Sequence, residues 1–278
     1  MKTSFYDNYI ELSEIEDFDP KLIFDCGQCF RFEQIDNNTY EGVAFNKVLR
    51  VETVKNKTYR LYCSKSDFEN IWYDFFDLDL DYSDIRKKLS VDPFTIEAIA
   101  YGKGIRILKQ DFWEGLCSFI ISQCNNIPRI KSIISTLCKN FGEKIDYNGK
   151  IYYSFPSAEK ISTLSLDDLS VLRSGYRAPY ILNAAKKIAS GELNAINGMT
   201  TTEAEKYLLT LEGIGPKVCN CVLLFALHRL DCFPIDTWMK KAISDHYPKD
   251  FNPSVFGEYA GIAQQYIFNY KRVGIKNE

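Results

Sequence analysis

Histidine is almost missing from this 278-residue chain, which has only His228 and His246. Cys26 and Cys29 form a CxxC, but no second pair follows at zinc-ligand spacing, and two histidines do not complete a four-ligand site. Long apolar runs are missing too. The longest, Cys221 to Leu227, falls far short of the roughly 20 residues a membrane helix needs, and the opening "MKTSFYDNYIELSE" has no signal-peptide pattern. These absences predict no membrane association, a cytoplasmic setting (the nucleoid in a prokaryote), no metal and no cofactor. Nine cysteines, an odd number spread along the chain, fit reduced thiols, most of them small buried apolar residues, better than a disulfide framework.

An excess of positive charge is also missing overall, since the net charge is -3. The acids are segregated, however. Residues 1–20 carry six acids and one lysine, and residues 67–84 ("DFENIWYDFFDLDLDYSD") carry seven acids and no base. Setting both stretches aside leaves 33 bases against 24 acids. Between Arg173 and Lys187 there are four cations and no acid. Any single run could be solvated surface, but the segregation permits a phosphate-binding face.

Periodicity changes near residue 100. Between Phe24 and Cys63, the segments "CFRFEQI", "TYEGVAF", "KVLRVETV" and "TYRLYC" are rich in aromatic and β-branched residues and are separated by polar breaks, which predicts an antiparallel sheet. From about Asp111, apolar residues recur at helical spacing in eight segments, from "FWEGLCSFIISQC" to "VFGEYAGIAQQYIF". The chain therefore reads as α+β, with a β-rich unit over 1–103 and a mostly helical unit over 104–278.

Within the helical unit, "TEAEKYLLTL" predicts a helix opened by a capping box of Thr202 and Glu205. Gly213 and Gly215 break it, and Pro216 suits the first turn of the next helix. The result is a helix-hairpin-helix over about 202–227. Its turn leaves backbone N–H groups at a helix N-terminus, where a DNA phosphate can bind. Lys217 stands in that first turn, where the helix dipole and the apolar run behind it favour a neutral amine, and a neutral amine is a nucleophile. The plain alternative is a surface lysine with a packed stem. Asp236, nineteen residues on in "CFPIDTWMKKA", heads another helix. An N-cap role would fix its carboxylate, which can then stabilise an oxocarbenium-like centre or assist the lysine. A lysine with an aspartate suits attack at a sugar carbon.

The Gly-Ile-Gly-Pro-Lys hairpin followed by Pro-Ile-Asp resembles the helix-hairpin-helix, Gly/Pro-Asp superfamily of DNA glycosylases. Six segments, "CGQCFRF", "SFIISQCNNIPRI", "SGYRAPYI", "EGIGPKVCNCVLLFAL", "FPIDTW" and "YAGIAQQYIF", are similar in order to its 8-oxoguanine DNA glycosylase branch, from about residue 24 to 268. The resemblance implies a sheet domain like the TATA-binding-protein fold, packed on two helical subdomains with the active site between them. It implies a monomer acting on double-stranded DNA that contains 8-oxoguanine. Lys217 would expel the base and form a Schiff base, β-elimination would nick the strand, and Asp236 would assist.

The resemblance also implies site residues. The flipped base would lie between Cys221 and Phe268, with Gln264 on its pairing edge and the Gly27 carbonyl on N7–H, the atom that separates 8-oxoguanine from guanine. Cys221 lies one turn after Lys217 on one helix face, and Gln264 and Phe268 share a face by the same spacing. Tyr176, exposed by a turn at Gly175, would fill the vacated stack. Arg129 and Arg177 would meet the orphaned cytosine. Asn125, Asn126, Gly213, Gly215, Val218 and Trp238 would contact DNA. For most of these residues, taken singly, ordinary packing is the plain alternative.

Two positions depart from the pattern. Cys124 stands where an asparagine contacts the orphaned cytosine, and a thiol is a poor substitute donor, so relaxed opposite-base selectivity is expected. Trp238 stands where a phosphate-contacting histidine often sits. No cysteine follows Asp236, so the iron–sulfur cluster of endonuclease III relatives has no ligands there. Two other readings are an alkylpurine glycosylase of the same superfamily, which typically lacks the hairpin lysine, and a non-catalytic DNA-binding module, which would need neither Lys217 nor Asp236.

Overall fold

The computed structural model describes residues 1–274. Six strands, β1 (Lys2–Phe5), β2 (Ile10–Ser13), β3 (Phe32–Asp36), β4 (Thr39–Ala44), β5 (Lys47–Lys55) and β6 (Thr58–Tyr62), form one antiparallel sheet in the order β1-β2-β6-β5-β4-β3. The last four arise from the aromatic and β-branched segments. Between β4 and β5, Phe45 and Asn46 both take positive φ (50° and 59°), the two-residue turn whose twist matches that of the paired strands. β1 and β2 carry no clear signal of their own. They extend the sheet at β6, with Ile10 opposite Leu61, and bury Ile10 and Leu12.

The acidic stretch is not simply a charged surface. Lys65–Asp67, Phe68–Trp72 and Tyr73–Phe75 run on as consecutive helical turns, the middle one a π-turn. Phe68, Trp72, Phe75 and Phe76 from this stretch join Phe24, Phe32, Leu49 and Val51 in the sheet core. The aromatics bury one face and Glu69 and Asp74 stay on the exposed one, while Asp77 is buried beside Lys109 and His228.

A second core fills the helical part. Helices Phe112–Ile121, Ile127–Phe141, Arg177–Ala189, Pro216–Phe225 and Ala260–Val273 all contribute to it. Two helices before residue 103, Tyr82–Leu89 and Pro93–Tyr101, also pack into this core rather than into the sheet core.

Local details differ from the sequence reading at two places. The capping box before Thr201–Leu208 is formed by Thr200 and Glu203, not Thr202 and Glu205. Both pairs satisfy the S/T-x-x-E pattern, and the helix starts at the earlier one. The segment "VFGEYAGIAQQYIF" is not one helix. Gly257 (φ 58°, ψ -141°) kinks the 3₁₀ stretch Pro253–Tyr259 from within, and the helix proper is Ala260–Val273.

No described helix is long and apolar enough to cross a membrane.

Candidate active site

The hairpin is built around Gly213. Its φ of +80° is left-handed, and a Cβ there would lie 2.3 Å from Cδ2 of Tyr180, so only glycine lets the turn close against that ring. Tyr180 belongs to helix Arg177–Ala189, which thereby supports the hairpin. Helix Pro216–Phe225 starts at Gly215 with Pro216 in its first turn and no side-chain cap, leaving its first-turn N–H groups without a side-chain acceptor. The Val218 side chain is buried, so what that residue presents outward is its backbone.

Lys217 is half-buried, with Nζ 3.5 Å from Ser122 Oγ on helix Phe112–Ile121's C-cap. Cys221, one turn on, is buried, and burial pushes its thiol up; Lys217 pulls it down and Asp236 pushes it up further. All three groups therefore share one electrostatic neighbourhood. Asp236 is the N-cap of Thr237–His246, its Oδ1 accepting from Met239 N at 2.8 Å. One oxygen anchors the carboxylate and fixes its direction. Lys217 and Asp236 are not joined by an ion pair within 4.0 Å.

These residues line an open cleft of roughly 690 Å³ together with Gly27, Cys221, Gln264 and Phe268. Gly27 has φ +83°, and a Cβ on it would point at Phe268, 3.7 Å from Cε1. Gln264 is only 4% exposed, and its Oε1 has no partner in the free protein. A buried acceptor beside an aromatic wall, unpaired by other protein groups, is open to a donor from a water or a ligand. Arg272 lies over the Phe268 ring at 5.5 Å.

Across the mouth, Tyr176 is 51% exposed on the turn before Arg177–Ala189. Arg177 is buried, its guanidinium 4.5 Å from the Tyr176 ring centre and donating to the backbone oxygens of Gln123 and Ser174 (3.0 Å each). It braces the turn at 123–124. Arg129 is exposed and donates to Arg173 O at 3.0 Å. Asn126 caps Ile127–Phe141 through Arg129 N, and Asn125 Nδ2 donates to Ile121 O at 3.1 Å. Cys124 is exposed, at φ +45°, a left-handed conformation that suits asparagine better than cysteine. Trp238 lines the cleft beside Asp236.

Comparison with known proteins supplies the assignment. The family described as "8-oxoguanine DNA glycosylase, N-terminal domain" matches residues 10–116, and "HhH-GPD superfamily base excision DNA repair protein" matches 117–254. The N-glycosylase/DNA lyase OGG1 of Arabidopsis thaliana is 30% identical over 281 residues, covering 89% of this chain and 75% of that one. The chain belongs to the 8-oxoguanine DNA glycosylase family. An N-glycosylase/DNA lyase of Saccharomyces cerevisiae is 36% identical over 159 residues, with 52% of this chain aligned to 42% of that relative, so the match spans less than half of the yeast protein. A crystal structure of the Clostridium acetobutylicum 8-oxoguanine glycosylase/lyase, in complex with dsDNA containing cytosine opposite to 8-oxoG, superposes with a TM-score of 0.92 at 36% identity over 99% of each chain.

Within this family fold, three glutamines that the sequence reading does not single out hold the loop carrying Gly27. Gln28 is fully buried; its Nε2 donates to Ile23 O (2.9 Å) and Arg106 O (2.8 Å), and its Oε1 accepts from Leu108 N (2.9 Å). Gln265 Nε2 donates to Cys26 O, and Gln110 Nε2 to Gln28 O, both at 2.8 Å. Their partners lie 78 to 239 residues away for the long-range bonds, so no local pattern marks them.

Proposed function

We propose that this chain flips 8-oxoguanine out of duplex DNA, excises it and nicks the strand, with Lys217 as nucleophile and Asp236 as the assisting carboxylate. The observation that carries this reading is the convergence of Lys217, Asp236 and the Cys221–Phe268 slot on one cleft. The Lys217 amine attacks C1′, the C1′–N9 bond breaks, and its electron pair leaves with the base. The amine proton passes to the departing base, the C1′–O4′ bond breaks with O4′ taking a proton from water, and a Schiff base joins Nζ to C1′. Removal of a C2′ proton expels the 3′-phosphate by β-elimination, and water releases the lysine. The carboxylate of Asp236, held by its cap bond, faces the cationic sugar as the base departs.

The uncapped N-terminus of Pro216–Phe225 takes a backbone phosphate. Tyr176 enters the stack the base has left. Gln264 Oε1 accepts from the base's pairing edge, and the Gly27 carbonyl accepts from N7–H. Arg177 and Arg129 face the orphaned base, where Cys124 offers only a weak donor, and cytosine selectivity is relaxed. The protein acts as a monomer in the cytoplasm, at the nucleoid in a prokaryote. An alkylpurine substrate would leave Lys217 without a role.

Borohydride trapping on duplexes with 8-oxoguanine opposite each base tests this reading. Wild type gives a covalent adduct that Lys217→Gln does not, with adducts at more than one opposite base. Base release without any adduct makes Lys217 structural and the reading wrong. DNA binding with neither release nor adduct supports a binding module instead.

A further inference from the structure

A carbonyl that must tell an N–H donor from a lone pair has to be held still, because a tilt of a few tenths of an ångström lets the wrong partner in. Gly27 is the least constrained residue type, in a left-handed conformation. Yet both carbonyls flanking its peptide units are occupied. Cys26 O accepts from Gln265 Nε2 and Gln28 O accepts from Gln110 Nε2, each at 2.8 Å, while the buried Gln28 side chain ties the turn to the backbone at 106 and 108. Gln265 neighbours Gln264 on the last helix, and Gln110 also donates to Phe225 O (3.2 Å), the last residue of the helix that begins beside Lys217. The loop is thus referenced to the helix that reads the pairing edge and to the helix that carries the nucleophile.

We propose that Gln265 and Gln110 are positioning residues that aim the Gly27 carbonyl, and so set the preference for 8-oxoguanine over guanine. This rests on the substrate reading above. Losing either amide leaves a buried carbonyl unpaired and frees the loop on one side, with no direct effect on Lys217 or Asp236.

The test is equilibrium binding to duplexes bearing 8-oxoguanine or guanine, in a Lys217→Gln background that blocks turnover, with Gln265→Met and Gln110→Met added separately. Nicking of abasic DNA is measured with Lys217 intact. Each added substitution should weaken 8-oxoguanine binding roughly tenfold and leave guanine binding unchanged. Abasic nicking, which needs no base pocket, should stay within about twofold of wild type and shows that the variant folds. Equal weakening on both duplexes, or a parallel loss of nicking, overturns the clamp and leaves a merely structural role. If Lys217→Gln alone binds the two duplexes equally, the substrate reading itself fails. Gln110→Met stands as the independent variant should Gln265→Met not fold.

Discussion

The two walls of the cleft are built in different ways. On the catalytic wall, Lys217 and Asp236 each stand at the start of a helix, and short-range rules place them: a proline and an uncapped turn for one, an N-cap bond for the other. On the proposed recognition wall, Gly27, Cys221, Gln264 and Phe268 come from three distant stretches of chain, and the Gly27 loop is held by buried amides whose partners are up to 239 residues away. On the proposed reading, the reacting groups are placed by local rules, whereas the Gly27 loop is placed by the tertiary fold. Substitutions on the two walls should therefore fail differently.

The largest effect is expected at the catalytic wall. Lys217→Gln should lower strand nicking by more than about 10³-fold with little change in stability, as read by single-turnover kinetics beside a thermal melt. Asp236→Asn follows, because asparagine caps as well as aspartate but carries no charge. Base release should fall by roughly 10²–10³-fold with the melting temperature unchanged. Asp236→Ala should lose the cap as well, at a further cost of about 1 kcal/mol in stability. Equal melting of the Asn and Ala variants would show that the Met239 bond does not hold the carboxylate.

Gly213→Ala probes the support between the walls. It forces a Cβ onto the Tyr180 ring and into a left-handed φ, and should cost about 1–3 kcal/mol in chemical denaturation. On the recognition wall, Phe268→Ala removes one face of the slot. It should slow release of 8-oxoguanine by roughly tenfold while abasic nicking persists. A parallel loss of nicking would mean that the walls are not separable.

This division also decides what the sequence discloses. Strands β3 to β6 are legible because alternation and turn residues coincide, and the hairpin because glycine, proline and lysine stand in a fixed order. β1 and β2 are short and gain their burial only by pairing with β6. Residues 67–84 read as acid because seven acids and no base mask the aromatics that face the sheet. The resemblance assigns Arg177 to the orphaned cytosine, and no local pattern shows that its donors bond Gln123 and Ser174 once the turn at 124 exists. The glutamines are silent for a related reason: a buried amide looks like any surface glutamine until its carbonyl partners arrive from elsewhere in the chain.

The smallest expected effect is at Cys124. Its φ of +45° suits asparagine, and on the proposed reading asparagine adds an amide donor toward the orphaned base. Cys124→Asn should therefore raise stability by a few tenths of a kcal/mol, about the difference between favoured and disfavoured residues in that conformation. It should also sharpen the preference for cytosine over other opposite bases by about 5- to 10-fold, read as ratios of base release from four duplexes. The effect is modest because, on the proposed reading, Arg129 and Arg177 also serve that base, although Arg177 must first give up its bonds to Gln123 and Ser174. Unchanged ratios would place opposite-base selectivity with those arginines and leave Cys124 a solvent-facing turn residue.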